Sequence, residues 1–504
     1  MRILFSLSIL IVYTCLACLQ AGAACDQIPA GQTFWVRLLQ PVSSYSSKSG
    51  AVVRGILAQS PQCDGSPIFS AGTLVEGRIG RIQKVGMGFI HESSSVQIDF
   101  NRILPADSAP IAIQTRVVEV DNGRERVRKG VMYGIRSTDN LQDRVTMRLM
   151  HLPTWNPSSL WIVLAYRATF PISPEPEIYF PAGTDLRLEL SAPLPVQSGL
   201  APVLANQEFD EPTREALDDD VLALTDRSAT PTGQDADVVN LVFLGSGEQV
   251  KDAFEAAGWT GSDAVSTRAD LHVFAAFVAL KNYSHLPISR QSLDGRPADS
   301  MWQKSFDSLE KRDHLRIWRE PQQWKGETAW ASASIRETGA VFSFRRRKMI
   351  HHTDVDLDGE REKVVRDLTL AGCVDTVYNA PRARMPLYSR NATGDEMRTD
   401  GAVAVVQLKD CERPEFETVD ASSNMLSHPH SRFTRYLRTQ VLSVRNLWRS
   451  NAAYGVYDVT RMTVDGIRSK RSRDRQEALA RDAMRNAQPV PLAARGLASL
   501  RATH

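Results

Sequence analysis

The segment His351–Arg361, HHTDVDLDGER, holds two imidazoles, four carboxylates and a guanidinium, directly after the basic run Arg345, Arg346, Arg347 and Lys348. No other stretch of the chain gathers so many groups that ligate metals, carry protons or hold anions. A second polar set lies in Arg312–Trp318, RDHLRIW. In an extended strand alternate side chains face opposite sides, so His314, Arg316 and Trp318 project one way and Asp313, Leu315 and Ile317 the other. Three such groups on one face imply a pocket wall or a hydrogen-bonded interior.

Three chemistries are open to the acidic segment. Asp354, Asp356 and Asp358 followed by Gly359 repeat the first half of a calcium loop, where carboxylates two residues apart converge on a hard cation. Val365 stands where that loop needs its bidentate glutamate, so an EF-hand is incomplete and a looser calcium or magnesium site is what remains. The second chemistry is a metal-dependent hydrolase acting on a phosphoester or glycan, with His314, His352 and Asp356 as ligands and Glu360 as base, although no HExxH spacing enforces it. The third is structural: Asp358 and Glu360 sit at the start of a helix, where free backbone N–H groups stabilise carboxylates, and Arg361 pairs with neighbouring acids. Ser332 and Ser334 lack a GxSxG elbow, so covalent catalysis has no motif.

The elements that must position these residues change character along the chain. Thr33–Leu39, Ala51–Ala58, Thr73–Val85, Ser95–Asn101, Ile111–Val120, Trp161–Thr169 and Thr184–Leu190 alternate or cluster β-branched and aromatic residues between Gly, Pro and Asp. This predicts an all-β barrel or sandwich over residues 25–196, with no convincing helix in the pattern. Phe69-Ser-Ala-Gly-Thr73 and Phe180-Pro-Ala-Gly-Thr184 each launch a strand from a turn, and Ala30-Gly-Gln-Thr33 is a degenerate third copy. Gly77, Gly80, Gly86 and Gly88 fit hairpins or bulges and no GxGxxG frame. The patterns PxSSYSSKSGxVVxG and AGTxVEG are similar to small β-domains of bacterial envelope and secretion-channel proteins.

Residues 197–236 are acidic and contain prolines without sustained periodicity, which reads as a linker. Beyond it the period changes. Val238–Leu244 reads as a strand, Ser246 and Gln249 form a capping box for a helix, and helices are expected over Thr267–Lys281 and Glu360–Leu370. Strands are expected near His314–Trp318, Thr328–Ile335, Ala340–Phe344, Cys373–Tyr378 and Ala402–Leu408. Strands and helices without strict alternation argue for an α+β mixed-sheet domain over 237–462. Residues 463–504 form a basic tail, expected to be flexible.

Arg2, the apolar stretch Ile3–Leu19 and the small residues Ala21–Ala24 follow the order of a secretory signal, residues 1–24, with an uncleaved anchor as the alternative. The chain is then exported to the periplasm, outer envelope or extracellular space. Four cysteines follow the signal, and their spacing suggests Cys25 with Cys63 and Cys373 with Cys411. Neither pair forms a CxxC, which argues against zinc-ribbon or thioredoxin-like chemistry. The chain of 504 residues is 42% hydrophobic and 23% charged with a formal net charge of +2, which names no class of partner. The arginines of the tail suit anionic lipid or polymer, or plain solvation, better than specific nucleic-acid binding.

Asp237-Val-Val-Asn240-Leu-Val-Phe-Leu-Gly245, Ala257-Gly-Trp259, Arg312-Asp-His314-Leu-Arg316-Ile-Trp318, Trp330, His352 and Asp358-Gly-Glu360-Arg361 together resemble the LssY-like carboxy-terminal domain, over about Asp237 to Met462. That family is named for a component assigned to a type I secretion system, and its domain is often joined to membrane-embedded modules. Here a β-domain takes their place. The resemblance groups His314, Arg316, Trp318, His352, Asp356, Glu360 and Arg361 as one candidate ligand cluster. Together these readings imply an exported envelope or secretion-associated binding module, with the metal-dependent hydrolase as the competing function.

Overall fold

The computed structural model describes residues 26–63, 66–106, 108–150, 173–196, 209–262, 288–306, 308, 311–343, 348–382, 387–412 and 429–449, with single residues and short runs between 460 and 481. Residues 1–25, the strand expected at Trp161–Thr169 and the helix expected at Thr267–Lys281 lie outside them. Met1–Thr439 group into one unit and Gln440–His504 into a second. Among the described residues no helix is long and apolar enough to cross a membrane.

Strict alternation makes Thr33–Leu38 a half-buried strand: Phe34, Val36 and Leu38 are fully buried while Trp35 and Arg37 face outward. It belongs to an antiparallel sheet that runs Thr115–Val120, Asp185–Leu190, Thr33–Leu38, Val52–Gln59, Leu74–Gln83, Ser95–Leu104, Val131–Tyr133 and Arg126–Arg128. The Thr115 hydroxyl donates to the Phe100 carbonyl at 2.8 Å, which brings the sheet back on itself as a nearly closed barrel. The Phe-x-Ala-Gly-Thr turns share one geometry. Gly72 and Gly183 both adopt φ +87°, where glycine alone avoids a Cβ clash. Their N–H groups donate to Leu57 and Leu38 at 2.8 and 2.7 Å. Gly31 repeats the move, donating to Leu190 at 2.8 Å.

Two expectations are corrected by helices. Leu141–Met150 is helical within the region read as all β, because the Asn140 side chain accepts from the Asp143 N–H at 2.8 Å and nucleates the first turn. Glu211–Ala223, inside the segment read as a linker, is also a helix. Asp210 caps it, Pro212 occupies its first turn, and Leu217 and Val221, four residues apart, are fully buried while the acids face solvent.

The second half is built on a mixed sheet ordered Thr260–Gly261, Ser300–Ser305, Arg312–Trp324, Glu327–Ser343, Leu241–Leu244, Val403–Leu408 and Val374–Ala380, with Lys348–Thr353 pairing along Glu327–Ser343. Leu241–Leu244 and Val403–Leu408 run parallel, and the other pairs are antiparallel. Helices Gly247–Ala256 and Leu357–Leu370 cover one face, packing Phe254, Val364 and Leu368 on Leu241, Phe243 and Leu315. Helix Glu211–Ala223 covers the other, packing Leu217 and Val221 with Val242, Leu244 and Trp318. Cys373 and Cys411 form a disulfide; Cys63 is disulfide-bonded as well, and Cys25 lies outside the described residues. In the expected flexible tail, the described residues from 463 to 481 are helical, which suits their content of Arg, Lys, Glu and Ala.

Candidate functional site

The hairpin Arg312–Trp324 with Glu327–Ser343 turns at Lys325-Gly326, both at positive φ. A register shift between Arg319 and Gln323 then sets Arg312 opposite Glu337, Asp313 opposite Arg336 and His314 opposite Ile335. Alternation sends Arg312, His314 and Arg316 to one face and Asp313 to the other, so one hairpin supplies two separate polar centres.

The first centre is a cavity of about 560 Å³ lined by Asp237, Arg312, His314, Arg316, Glu337 and His351, with the turns at 230–234 and 391–393 at its rim. Arg312 grips Glu337 with two bonds, Nε to Oε2 at 2.8 Å and Nη2 to Oε1 at 3.1 Å. The same carboxylate meets two imidazoles: His351 Nδ1 at 2.8 Å and His314 Nδ1 at 3.4 Å. Arg316 donates from Nη1 to Asp237 at 2.6 Å and from Nε to the Ser289 carbonyl at 3.0 Å, and Gln291 adds a bond to Asp237 at 2.7 Å.

Burial opposes ionisation of Glu337, but Arg312, with His351 beside it, outweighs that and holds the carboxyl well below its usual range. Burial pushes His314 well below its ordinary value against the pull of Glu337, so its imidazole is neutral at physiological pH. Its Nδ1 makes no hydrogen bond among the described residues. Around the cavity, the buried guanidiniums of Arg312 and Arg316 are each matched by a carboxylate, and the exposed Arg290 completes the lining; imidazole, hydroxyl and amide groups are what the interior offers a ligand.

The second centre joins the barrel to the α+β part. Asp367, on helix Leu357–Leu370, accepts from Arg37 at 2.6 Å, Lys304 at 2.9 Å, Lys363 at 3.3 Å and the Trp259 indole at 3.1 Å. Arg37 also forms a two-bond pair with Asp185, at 2.8 Å each. Lys363 lies 3.0 Å from Asp121 and 3.5 Å from Asp313, and Arg336 bonds Asp121 at 2.5 Å and Asp313 at 3.0 Å. Burial and the neighbouring Asp313 carboxylate push Glu360 well above the usual carboxyl range. Arg37, Lys304, Arg336 and Lys363 face Asp121, Asp185, Asp313 and Asp367, with the Glu360 carboxyl beside them.

The candidate residues therefore separate. His314 and Arg316 share the cavity, and Trp318, on the same face, is buried in the apolar core beyond it. His352 points away from its neighbour His351, about half exposed and 2.9 Å from Asp395. Asp354 accepts from the Asp356 N–H at 3.1 Å, and Asp356 caps the helix by accepting from Gly359 at 3.3 Å. Asp358 accepts from Thr399 at 2.8 Å and from the Asp400 N–H at 2.7 Å. Arg361 ties the helix to Asp400 and the Ala402 carbonyl, at 2.8 Å each. Asp354, Asp356 and Asp358 thus diverge onto different partners, and among the described residues no three His, Cys, Asp or Glu side chains group to hold a metal. The expected single cluster is corrected by helix capping, which turns these carboxylates toward backbone, and by strand alternation, which separates His352 from His314. Arg312, Asp237 and His351, which lie in the sequence motifs but outside the expected ligand cluster, and Glu337, which no motif contains, are cavity residues.

Residues 221–403 match the family described as LssY C-terminus, so this part of the chain is an LssY-like carboxy-terminal domain. The match starts and ends earlier than the sequence resemblance, and it takes in both the hairpin and the helix Leu357–Leu370. No curated protein matches the chain. Among solved structures, ComB10 of the Com type IV secretion system of Helicobacter pylori is similar at 13% identity over 34% of this chain and 89% of that chain, with a TM-score of 0.19.

Proposed function

We propose that the chain is an exported cell-envelope protein whose LssY-like domain binds a small, neutral, hydroxyl-rich ligand, of the chemistry of a carbohydrate unit, in the His314–His351 cavity. One observation carries this reading: Arg312 and Arg316 are committed to Glu337 and Asp237. An anion seated on these two guanidiniums, inward of the exposed Arg290 on the lining, would have to break a buried pair, at a cost of about 3–5 kcal/mol. A neutral ligand needs only the hydrogen bonds that the imidazoles and the Thr230, Thr232, Ser289 and Asn391 side chains supply. Titration calorimetry with N-acetylglucosamine trimer and, separately, inorganic phosphate tests it. Saturable trimer binding that weakens at least tenfold in His351→Ala and persists in His352→Ala supports the reading; preferential phosphate binding, or equal loss in both variants, defeats it.

A second reading, hydrolysis, draws on the 2.8 Å approach of His351 to Glu337, since a carboxylate beside an imidazole favours its taking up a proton. Turnover of a chromogenic glycoside or phosphoester that disappears in both His351→Ala and Glu337→Gln would favour it over binding alone.

A further inference from the structure

A second cavity, of about 590 Å³, lies between the barrel and the α+β sheet, apart from the His314 site. Both Phe-x-Ala-Gly-Thr turns face it, through Ala71-Gly72 and Pro181-Ala182-Gly183. A Cβ placed on Gly183 would meet nothing within 4 Å, so that turn borders open space. Leu39, Ile56 and Phe306 give its walls an apolar stretch, and Arg37, Lys304, Asp121 and Asp185 sit at its polar end.

The hydrogen-bond inventory of that polar end is lopsided. Asp185 is held by both bonds from Arg37, and Asp121 by Arg336 and Lys363. Lys304 uses two of its three donors, on Asp367 and the Ala257 carbonyl, each at 2.9 Å. Arg37 uses Nε and Nη2, while its Nη1, with two N–H groups, donates to no atom among the described residues. Arg37 and Lys304 both rest on the one Asp367 carboxylate, so their remaining donors lie close together. The two carboxylates are engaged while Arg37 and Lys304 keep donors, so an acceptor brought by a ligand is served there.

The ligand's charge follows from the surroundings. The four buried cations meet four carboxylates and the Glu360 carboxyl, so they leave no net positive field. Two helices also end on this cavity, at Ala257 and Ala371, and helix carboxyl ends repel anions. From these observations we infer that the junction cavity is a binding site for a neutral amphiphile, an apolar chain with an uncharged oxygen acceptor such as an ester carbonyl at one end, which takes hydrogen bonds from Arg37 and Lys304.

The test uses the full chain, 1-monolaurin below its micellar concentration, and laurate at pH 8 as the anionic counterpart, followed by calorimetry. Saturable one-site binding of monolaurin, at least tenfold tighter than laurate, is the expected result. Two blocking variants, Ala71→Phe at an exposed position and Ala182→Leu at a half-buried one, weaken it at least tenfold while melting within a few degrees of the wild type. No saturable monolaurin binding by the wild type, tighter binding of laurate, or undiminished binding in both folded variants overturns the inference. The trimer titration at the His314 cavity stays unchanged in these variants, so the two sites fail or succeed independently.

Discussion

Replacing Asp367 by Asn keeps the side-chain shape and removes the charge on which the junction converges. Three cations, Arg37, Lys304 and Lys363, lie within 3.3 Å of its oxygens, and the residue is fully buried. Breaking a buried ion pair from one side costs about 3–5 kcal/mol, because the stranded charges have lost their solvation. The Trp259 bond survives if the amide oxygen accepts it, and its loss would add only about 1 kcal/mol. The exposed pair Arg54–Glu76, at 3.8 Å with Arg54 64% exposed, is the control; Arg54→Ala costs about 1 kcal/mol or less. Urea unfolding followed by tryptophan fluorescence measures both at pH 7. The pH dependence has a definite sign. Burial opposes ionisation of Asp367, yet Lys304, Lys363 and Arg37 hold it well below the ordinary value of 3.8. Its stabilisation is therefore complete above that value and is lost as pH falls through the lower folded value, so wild type and variant converge only in strong acid. A deficit below about 1 kcal/mol at pH 7 would refute the claim that this carboxylate locks the junction. Adding Lys304→Met should recover about 1 kcal/mol or more, as groups in contact couple.

Glu360 titrates in the opposite sense. Its folded-state value lies well above the 4.5 of a free glutamate, so the folded chain keeps a proton that the unfolded chain releases. Stability then falls with rising pH between the two values by about 1.4 kcal/mol per pH unit. Glu360→Gln should flatten that slope and raise the melting temperature at pH 8 relative to pH 5; identical profiles would contradict it. Leu217→Ala should cost about 2–5 kcal/mol in chemical unfolding, because the side chain is fully buried under the sheet, whereas a loss near zero would return the acidic segment to a linker. Asp356→Ala should cost about 1 kcal/mol, the value of a helix cap, with no change in melting temperature on adding EDTA to either protein. A chelator-dependent melt of the wild type alone would revive the cation-loop chemistry.

The barrel strands and the second-half elements are legible wherever one face is buried, since alternation in Thr33–Leu38 and the capping box at Ser246 and Gln249 are local signals. The helices Leu141–Met150 and Glu211–Ala223 are not so plain. Each depends on a single cap residue, and in the second only Leu217 and Val221 carry the apolar stripe among many acids. Strand parity was legible: His314 and Arg316 line the cavity, and Trp318 on the same face is buried in the apolar core. The cavity's partners were hidden by register. Counting outward from the Lys325-Gly326 turn pairs Arg312 with Gly339, and only the irregularity between Arg319 and Gln323 brings Glu337 opposite it. No residue type near that irregularity announces it. The richness of HHTDVDLDGER in carboxylates points to metals, whereas capping and tertiary hydrogen bonds use the same side chains and leave the same composition.

The barrel brings one cation, Arg37, and two carboxylates, Asp121 and Asp185, to the junction, while the sheet and its helix bring three cations and two carboxylates. The barrel side has one carboxylate more than it has cations. A barrel made first in synthesis therefore holds an excess carboxylate that only water can accommodate until Lys304, Arg336 and Lys363 have been made, well over a hundred residues later. Docking of the two parts is thus a late step in maturation, and a graft that gave this barrel a different carboxy-terminal half would have to bring a surplus positive charge to the same place.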